Sequence, residues 1–178
     1  ALPISCLFAR LDAWLELVPE EYERAEQRQQ MQRLGRQRVV DEVAHLKRVL
    51  PSLRSPVVFA HNDLLGPNII VNDHAPLRFI DMEYAAFNYQ AFDIANHFNE
   101  YAGFELDYSR FPDRPQRERF YRAYLAEQRR TADGAPIPAA DLDALDRQVM
   151  AFTLASHAFW GVWGLVQASF STIEFDFA

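Results

Sequence analysis

One cysteine, one lysine and six scattered glycines set the first limits on this sequence. Cys6 can close no internal disulfide and gather no thiolate cluster around a metal, which points to a reducing, cytoplasmic setting. The glycines nowhere gather into a phosphate-cradling loop, and Lys47, the one lysine, sits in a polar, helix-prone stretch. Positive charge is short overall. The 178 residues carry a net charge of −7 and a pI near 5.2, which excludes general nucleic-acid binding without a local basic patch. The arginines present lie mostly in 24–54 and 110–130, interleaved with acids and glutamines, as on solvated helix faces. Internal repeats and low-complexity tracts are also missing.

What is there is ordinary globular material: 49% of residues are apolar and 24% charged, enough for one core with an appended helical arm. The stretch "ISCLFARLDAWLELV" is too interrupted by Arg10 and Asp12 for a signal peptide, and a chain starting at Ala1 reads as a piece of something longer. Ile4, Leu7, Phe8, Leu11, Trp14, Leu15 and Val18 form one helical stripe, with Cys6 expected as a buried filler within it. Pro19 ends that stripe. A second helical stretch over 20–50 is expected to break at Gly35. After Pro51 and Pro56 the period changes. "VVFA" (57–60) reads as a short strand, and 69–72 with 77–81 as a hairpin across the turn residues of "NDHAP". Helices are expected over 91–102, over "QRERFYRAYLAEQRR", and from about 139 to about 170, after the linker "TADGAPIPAAD". In that last helix, residues 149–170 carry no formal charge and are long enough to span a bilayer. Thr153, Ser156, His157, Gln167 and Ser169 dilute the run, and Glu174 and Asp176 rather than a basic cluster follow it, so a buried central helix is expected and no membrane anchor.

The chemistry concentrates in "FAHNDLLGPNIIVND". A core-filling strand has no use for the three polar residues His61, Asn62 and Asp63 at its tip. Asn68 opens the next strand and Asp81 closes the hairpin's second strand, so the fold-back of a hairpin brings Asn68 and Asp81 together. One amide oxygen and one carboxylate form a hard-oxygen pair suited to Mg²⁺, which keeps waters and takes further ligands from substrate phosphates. Asp63 is then free to orient a hydroxyl and accept its proton as it attacks phosphorus. The order Asp, Asn five residues on, then Asp on the following strand is the layout of protein-kinase catalytic loops, with Asn62 in place of their Arg and "DME", including Glu83, in place of D-F-G. The missing Arg suits a small-molecule kinase. The competing account is that His61, Asn62 and Asp63 cap a turn and Asp81 bonds locally. His61 reads as a structural tie to nearby backbone in either case.

"VVFAHNDLLGPNII", "FIDMEYAAFNYQAFDIANHFNEYAGF" and "ASHAFWGVWGLVQASFSTIEFDF" together resemble the choline/ethanolamine kinases, strongly over residues 57–108 and 147–177; several of these wordings are similar to the ethanolamine-specific members. The resemblance implies an α+β, mostly helical fold: the C-terminal lobe of a protein-kinase-like (aminoglycoside-phosphotransferase-like) enzyme, one unit over 1–178, with the catalytic loop and metal-binding hairpin at 57–81. It implies Mg²⁺-dependent transfer of the ATP γ-phosphate to ethanolamine or choline, an early step of phospholipid head-group synthesis. By position, Asp63 resembles the family's catalytic base and Asn68 and Asp81 its metal ligands. Asp93 resembles a brace for the catalytic loop, a helix N-cap being its simpler role. Trp160 and Trp163, with Gln167 a turn on, share one helix face. Such tryptophans belong to a core by default, but these match the family's aromatic ammonium site, with Glu100 as its acidic partner.

The chain departs from a complete kinase upstream, lacking a glycine-rich loop and its lysine. The reading is therefore of a lobe without its ATP-gripping partner, with little activity alone and with a homodimer left open. A kinase of another small hydroxyl compound, such as an aminoglycoside, and a catalytically silent ammonium-binding module remain as alternatives.

Overall fold

In the computed structural model, which describes residues 3–130 and 136–170, helices dominate and two small antiparallel sheets carry the loops. The expected stripe forms helix α1 (Leu7–Leu17). Ile4 lies before it, 87% exposed. Cys6 stands at the N-cap of α1, half-buried rather than packed inside an apolar helix, because its backbone N–H is drawn to the Phe87 carbonyl (2.8 Å). Gly35, at φ 79°, separates α2 (Ala25–Leu34) from α3 (Arg36–Val49). A β-carbon is strained at that φ, which is why the break falls there.

Strand β1 (Val57–Ala60) does not join the hairpin. Its partner is β4 (Ala86–Tyr89), a strand with no period-2 signal of its own in the sequence, in the register Val57↔Tyr89 to Ala60↔Ala86. The hairpin itself pairs β2 (Ile69–Asn72) with β3 (Ala75–Phe79), Ile69 facing Phe79. Its second strand thus starts and ends two residues earlier than expected. The Asn72 side chain accepts the His74 N–H (3.0 Å) and closes the turn at Asp73–His74. Asp81 consequently lies beyond the strand, in the left-handed region at φ 61°.

The core is built around α4 (Gln90–Asn99) and α6 (Ala139–Phe170), with α1, α3 and α5 (Arg114–Arg129) packed against α6. Phe92 and Phe98 on α4 and Val149, Phe152 and Phe159 on α6 are fully enclosed. Helix α6 is long and apolar enough to cross a membrane by length and composition, but half of its apolar window is buried among these helices. Its polar partner is α5: buried Asp146 accepts bonds from Arg114 (2.8 Å), Arg117 (2.8 Å) and Tyr121 (3.0 Å). Residues 131–135 of the expected linker at 131–141 and the whole of the closing "STIEFDFA" (171–178) lie outside the described residues.

Candidate active site

The loop after β1 is shaped by a buried polar network. Asn62 adopts φ 67°, a conformation that Asn tolerates better than most residues, and is fully buried. Its side-chain amide donates to the Tyr84 carbonyl (2.9 Å) and accepts from Asn88 (2.8 Å). Its backbone N–H, with that of His61, donates to the Asp93 carboxylate at 2.7 and 3.3 Å. Asp93 therefore sits in the first turn of α4 rather than at its N-cap, which is Tyr89. Burial pushes the Asp93 carboxyl up, and the two backbone N–H groups pull it back.

His61 Nδ1 accepts the Asp63 N–H (3.3 Å), so its ring proton resides on Nε2 and donates to the Ile80 carbonyl (2.9 Å). This ties the loop to the end of the hairpin. The Ile80 N–H in turn donates to the Asn68 carbonyl (3.1 Å). The start of β2 and the segment leading to Asp81 are thereby held side by side.

Asn68, in the 3₁₀ turn Gly66–Asn68, is buried. Its side-chain nitrogen donates to the Asp63 carbonyl (2.9 Å) and reaches the Asp63 carboxylate (3.5 Å). A carbonyl can only accept, so the amide orientation is fixed and the Asn68 Oδ1 is left as an acceptor. Asp81 is exposed, and among the described residues nothing donates to its carboxylate. No group of three His, Cys, Asp or Glu side chains gathers in metal-holding geometry among the described residues. One amide oxygen and one carboxylate fit a hard, oxygen-seeking cation that completes its shell from water and phosphate.

Asp63 is half-buried, and its carboxyl is pushed up to about 7. Burial is the first cause, followed by the negative charges of Glu100, Asp81 and Glu83; the Asn68 amide opposes them. Burial likewise raises Glu100, in a turn just past α4. Glu83 is exposed in the turn Met82–Tyr84. Tyr84, not among the site residues expected from sequence, joins this group. Its hydroxyl is raised first by burial and also feels Asp63, and it accepts the Trp163 indole N–H (2.9 Å). The rings of Tyr84 and Trp160 meet edge to face at 5.1 Å, and those of Trp160 and Trp163 at 5.6 Å. Arg10 of α1 donates to the Tyr84 carbonyl (2.9 Å) and steadies that turn. Gln167 is half-buried a turn further along α6, and no hydrogen bond among the described residues joins it to the rings. The signal for Tyr84 was its place three residues after Asp81, but only the packing of α6 reveals it as a wall.

A mostly helical body with the site on a loop and a short hairpin is a protein-kinase-like fold. It matches an ethanolamine kinase from Plasmodium vivax with TM-score 0.83 at 29% identity, over 98% of this chain and 46% of that one. A choline kinase from Cryptosporidium parvum matches with TM-score 0.75 at 25% identity, over 98% and 53%. The chain belongs to the choline/ethanolamine kinase family, whose family model matches residues 2–178. Ethanolamine kinase 1 of Mus musculus is 42% identical over 99% of this chain and 50% of its own length. Ethanolamine kinase 2 of Rattus norvegicus is 53% identical over 76% of this chain and 35% of its own length. The chain thus spans half or less of the length of these two relatives.

Proposed function

We propose that the protein transfers the γ-phosphoryl group of ATP to the hydroxyl of ethanolamine, with choline as the neighbouring substrate, at the first step of phospholipid head-group synthesis (the Kennedy pathway). One observation carries this reading: Glu100 and Tyr84 both lie within electrostatic reach of Asp63. An amino alcohol has only two carbons between its ammonium and its hydroxyl. An acid and aromatic faces for the cation must therefore lie a short side chain away from the base that takes the hydroxyl proton.

In this reading Trp160, Trp163 and Tyr84 face the ammonium and Glu100 pairs with its charge. Asp63, poised near neutrality by burial and its acidic neighbours, orients the hydroxyl and accepts its proton. The hydroxyl oxygen bonds to the γ-phosphorus as the bond from that phosphorus to the β–γ bridging oxygen breaks, and ADP leaves with the electron pair. Asn68 and Asp81 would hold Mg²⁺, which supplies neutralisation of phosphate charge when bound. Lys47, the one lysine, is engaged on the surface with Asp12 (2.6 Å).

The test is ADP release by the full-length protein, with MgATP and either ethanolamine, choline or an aminoglycoside. Ethanolamine-dependent release is expected. Release with the aminoglycoside alone, or with none of the three, overturns the proposal.

A further inference from the structure

The fully buried Asn96 of α4 touches both halves of the site from behind. Its Oδ1 accepts the Trp160 indole N–H (2.6 Å) and the Ser156 hydroxyl (2.8 Å). Its Nδ2 donates to the Asn62 carbonyl (3.3 Å). That carbonyl belongs to the peptide immediately before Asp63, whose N–H is the one held by His61 Nδ1 (3.3 Å). The peptide plane that aims Asp63 is therefore clamped on both edges, by Asn96 on the carbonyl and by His61 on the N–H. The same carboxamide fixes the rotation of the Trp160 ring, which packs on Tyr84 and Trp163.

We infer that Asn96 is a positioning residue whose two side-chain atoms divide the work: Oδ1 sets the aromatic wall that binds the amino alcohol, and Nδ2 sets the loop that aims Asp63. The inference rests on the function proposed above. Only a carboxamide supplies both halves at this place. A carboxylate would keep the acceptor for Trp160 but turn an oxygen toward the Asn62 carbonyl, where a donor is needed. An error of an ångström in the aim of a reacting group costs about 10²-fold in rate. The two ends of one amide should therefore fail in different kinetic constants.

The experiment uses the full-length protein and compares Asn96→Asp and Trp160→Phe with wild type. Asn96→Asp is expected to lower kcat about 10–100-fold with the KM for ethanolamine within about threefold. Trp160→Phe, which removes the indole N–H together with part of the ring face, is expected to raise that KM about tenfold with kcat within about threefold. A joint loss of kcat and KM in either variant would mean that Asn96 is only part of the packing, and would overturn the inference. If Asn96→Asp does not fold, the Trp160→Phe split decides alone. Wild-type turnover of ethanolamine is measured first, and its absence overturns the function rather than the tie. The tie is then read from backbone amide exchange at residues 62–64, which Asn96→Asp should accelerate and which unchanged protection would refute.

Discussion

The Asp93 carboxylate accepts the Asn62 backbone N–H at 2.7 Å, from one turn inside α4 to the tip of the loop after β1. This bond fixes a positive-φ residue where the chain must reverse, and it places the next residue, Asp63, at the mouth of the site. A helix in the core thus sets the position of a group on a loop. Most of the expected consequences of altering the site trace back to that relation.

Replacing Asp63 with Asn keeps the shape of the side chain and removes the proton acceptor. Turnover of ethanolamine should fall by about 10²–10⁴-fold, while the dissociation constant for ethanolamine measured by calorimetry changes by less than about threefold. Turnover near the wild-type rate would show that the base lies elsewhere.

The raised Asp63 carboxyl also has a signature in stability. Its value is about 7 in the folded protein against 3.8 for an ordinary Asp, so between these values the native state binds more protons than the unfolded one. Stability from this group therefore falls as pH rises through that window, and is lost above it. Asp63→Asn abolishes the effect. Its Tm relative to wild type should be higher at pH 8 than at pH 4, and a difference that is flat or reversed across this range would contradict the environment of Asp63.

Trp163 donates to Tyr84 and packs edge to face on Trp160. Its truncation to Ala removes one face of the ammonium site and lets Tyr84 turn. The KM for ethanolamine should rise about 10–30-fold, as expected for a desolvated cation–π contact of about 2 kcal/mol, and the KM for ATP should stay within about threefold. Equal changes in both would count against the assignment of the aromatic wall.

Asn62→Ala removes two buried hydrogen bonds and puts a residue less tolerant of positive φ at φ 67°. A loss of about 2–4 kcal/mol in urea unfolding is expected. Asn62→Gly should cost about 1 kcal/mol less, because glycine accepts the backbone conformation. If Gly is no better than Ala, the strain is not what the loop stores.

Asp146 anchors α6 to α5 through Arg114, Arg117 and Tyr121. Removing it leaves the buried Tyr121 phenol without its acceptor and Arg117 without its carboxylate, while Arg114 keeps Glu118 and Asp143. Asp146→Ala should destabilise the protein by about 3–5 kcal/mol, with the kinetic constants of the remaining folded enzyme unchanged. A loss under about 1 kcal/mol would reduce the cluster to a surface ion pair.

The sequence by itself determined the elements whose signals are local. Gly35 marked the break between α2 and α3 because a left-handed backbone favours glycine, and sustained apolar periodicity marked α6 over 139–170. The approach of Asn68 to the end of the hairpin's second strand was likewise readable, since a hairpin joins its two ends whatever surrounds it, although Asp81 falls two residues past that strand. Tertiary structure alone decided the rest. Four residues, Ala86–Tyr89, became a strand only because β1 offered them a partner. Asn62 reads as a turn residue and Asn96 as a helix residue in one dimension; with Asn88 of β4 they became a buried network because the packed core excludes water around them. Tyr84 and Glu100 entered the surroundings of Asp63 by the same packing. Burial is a property of the assembled core, and it is burial that turned an acid of ordinary sequence context into one poised near neutrality.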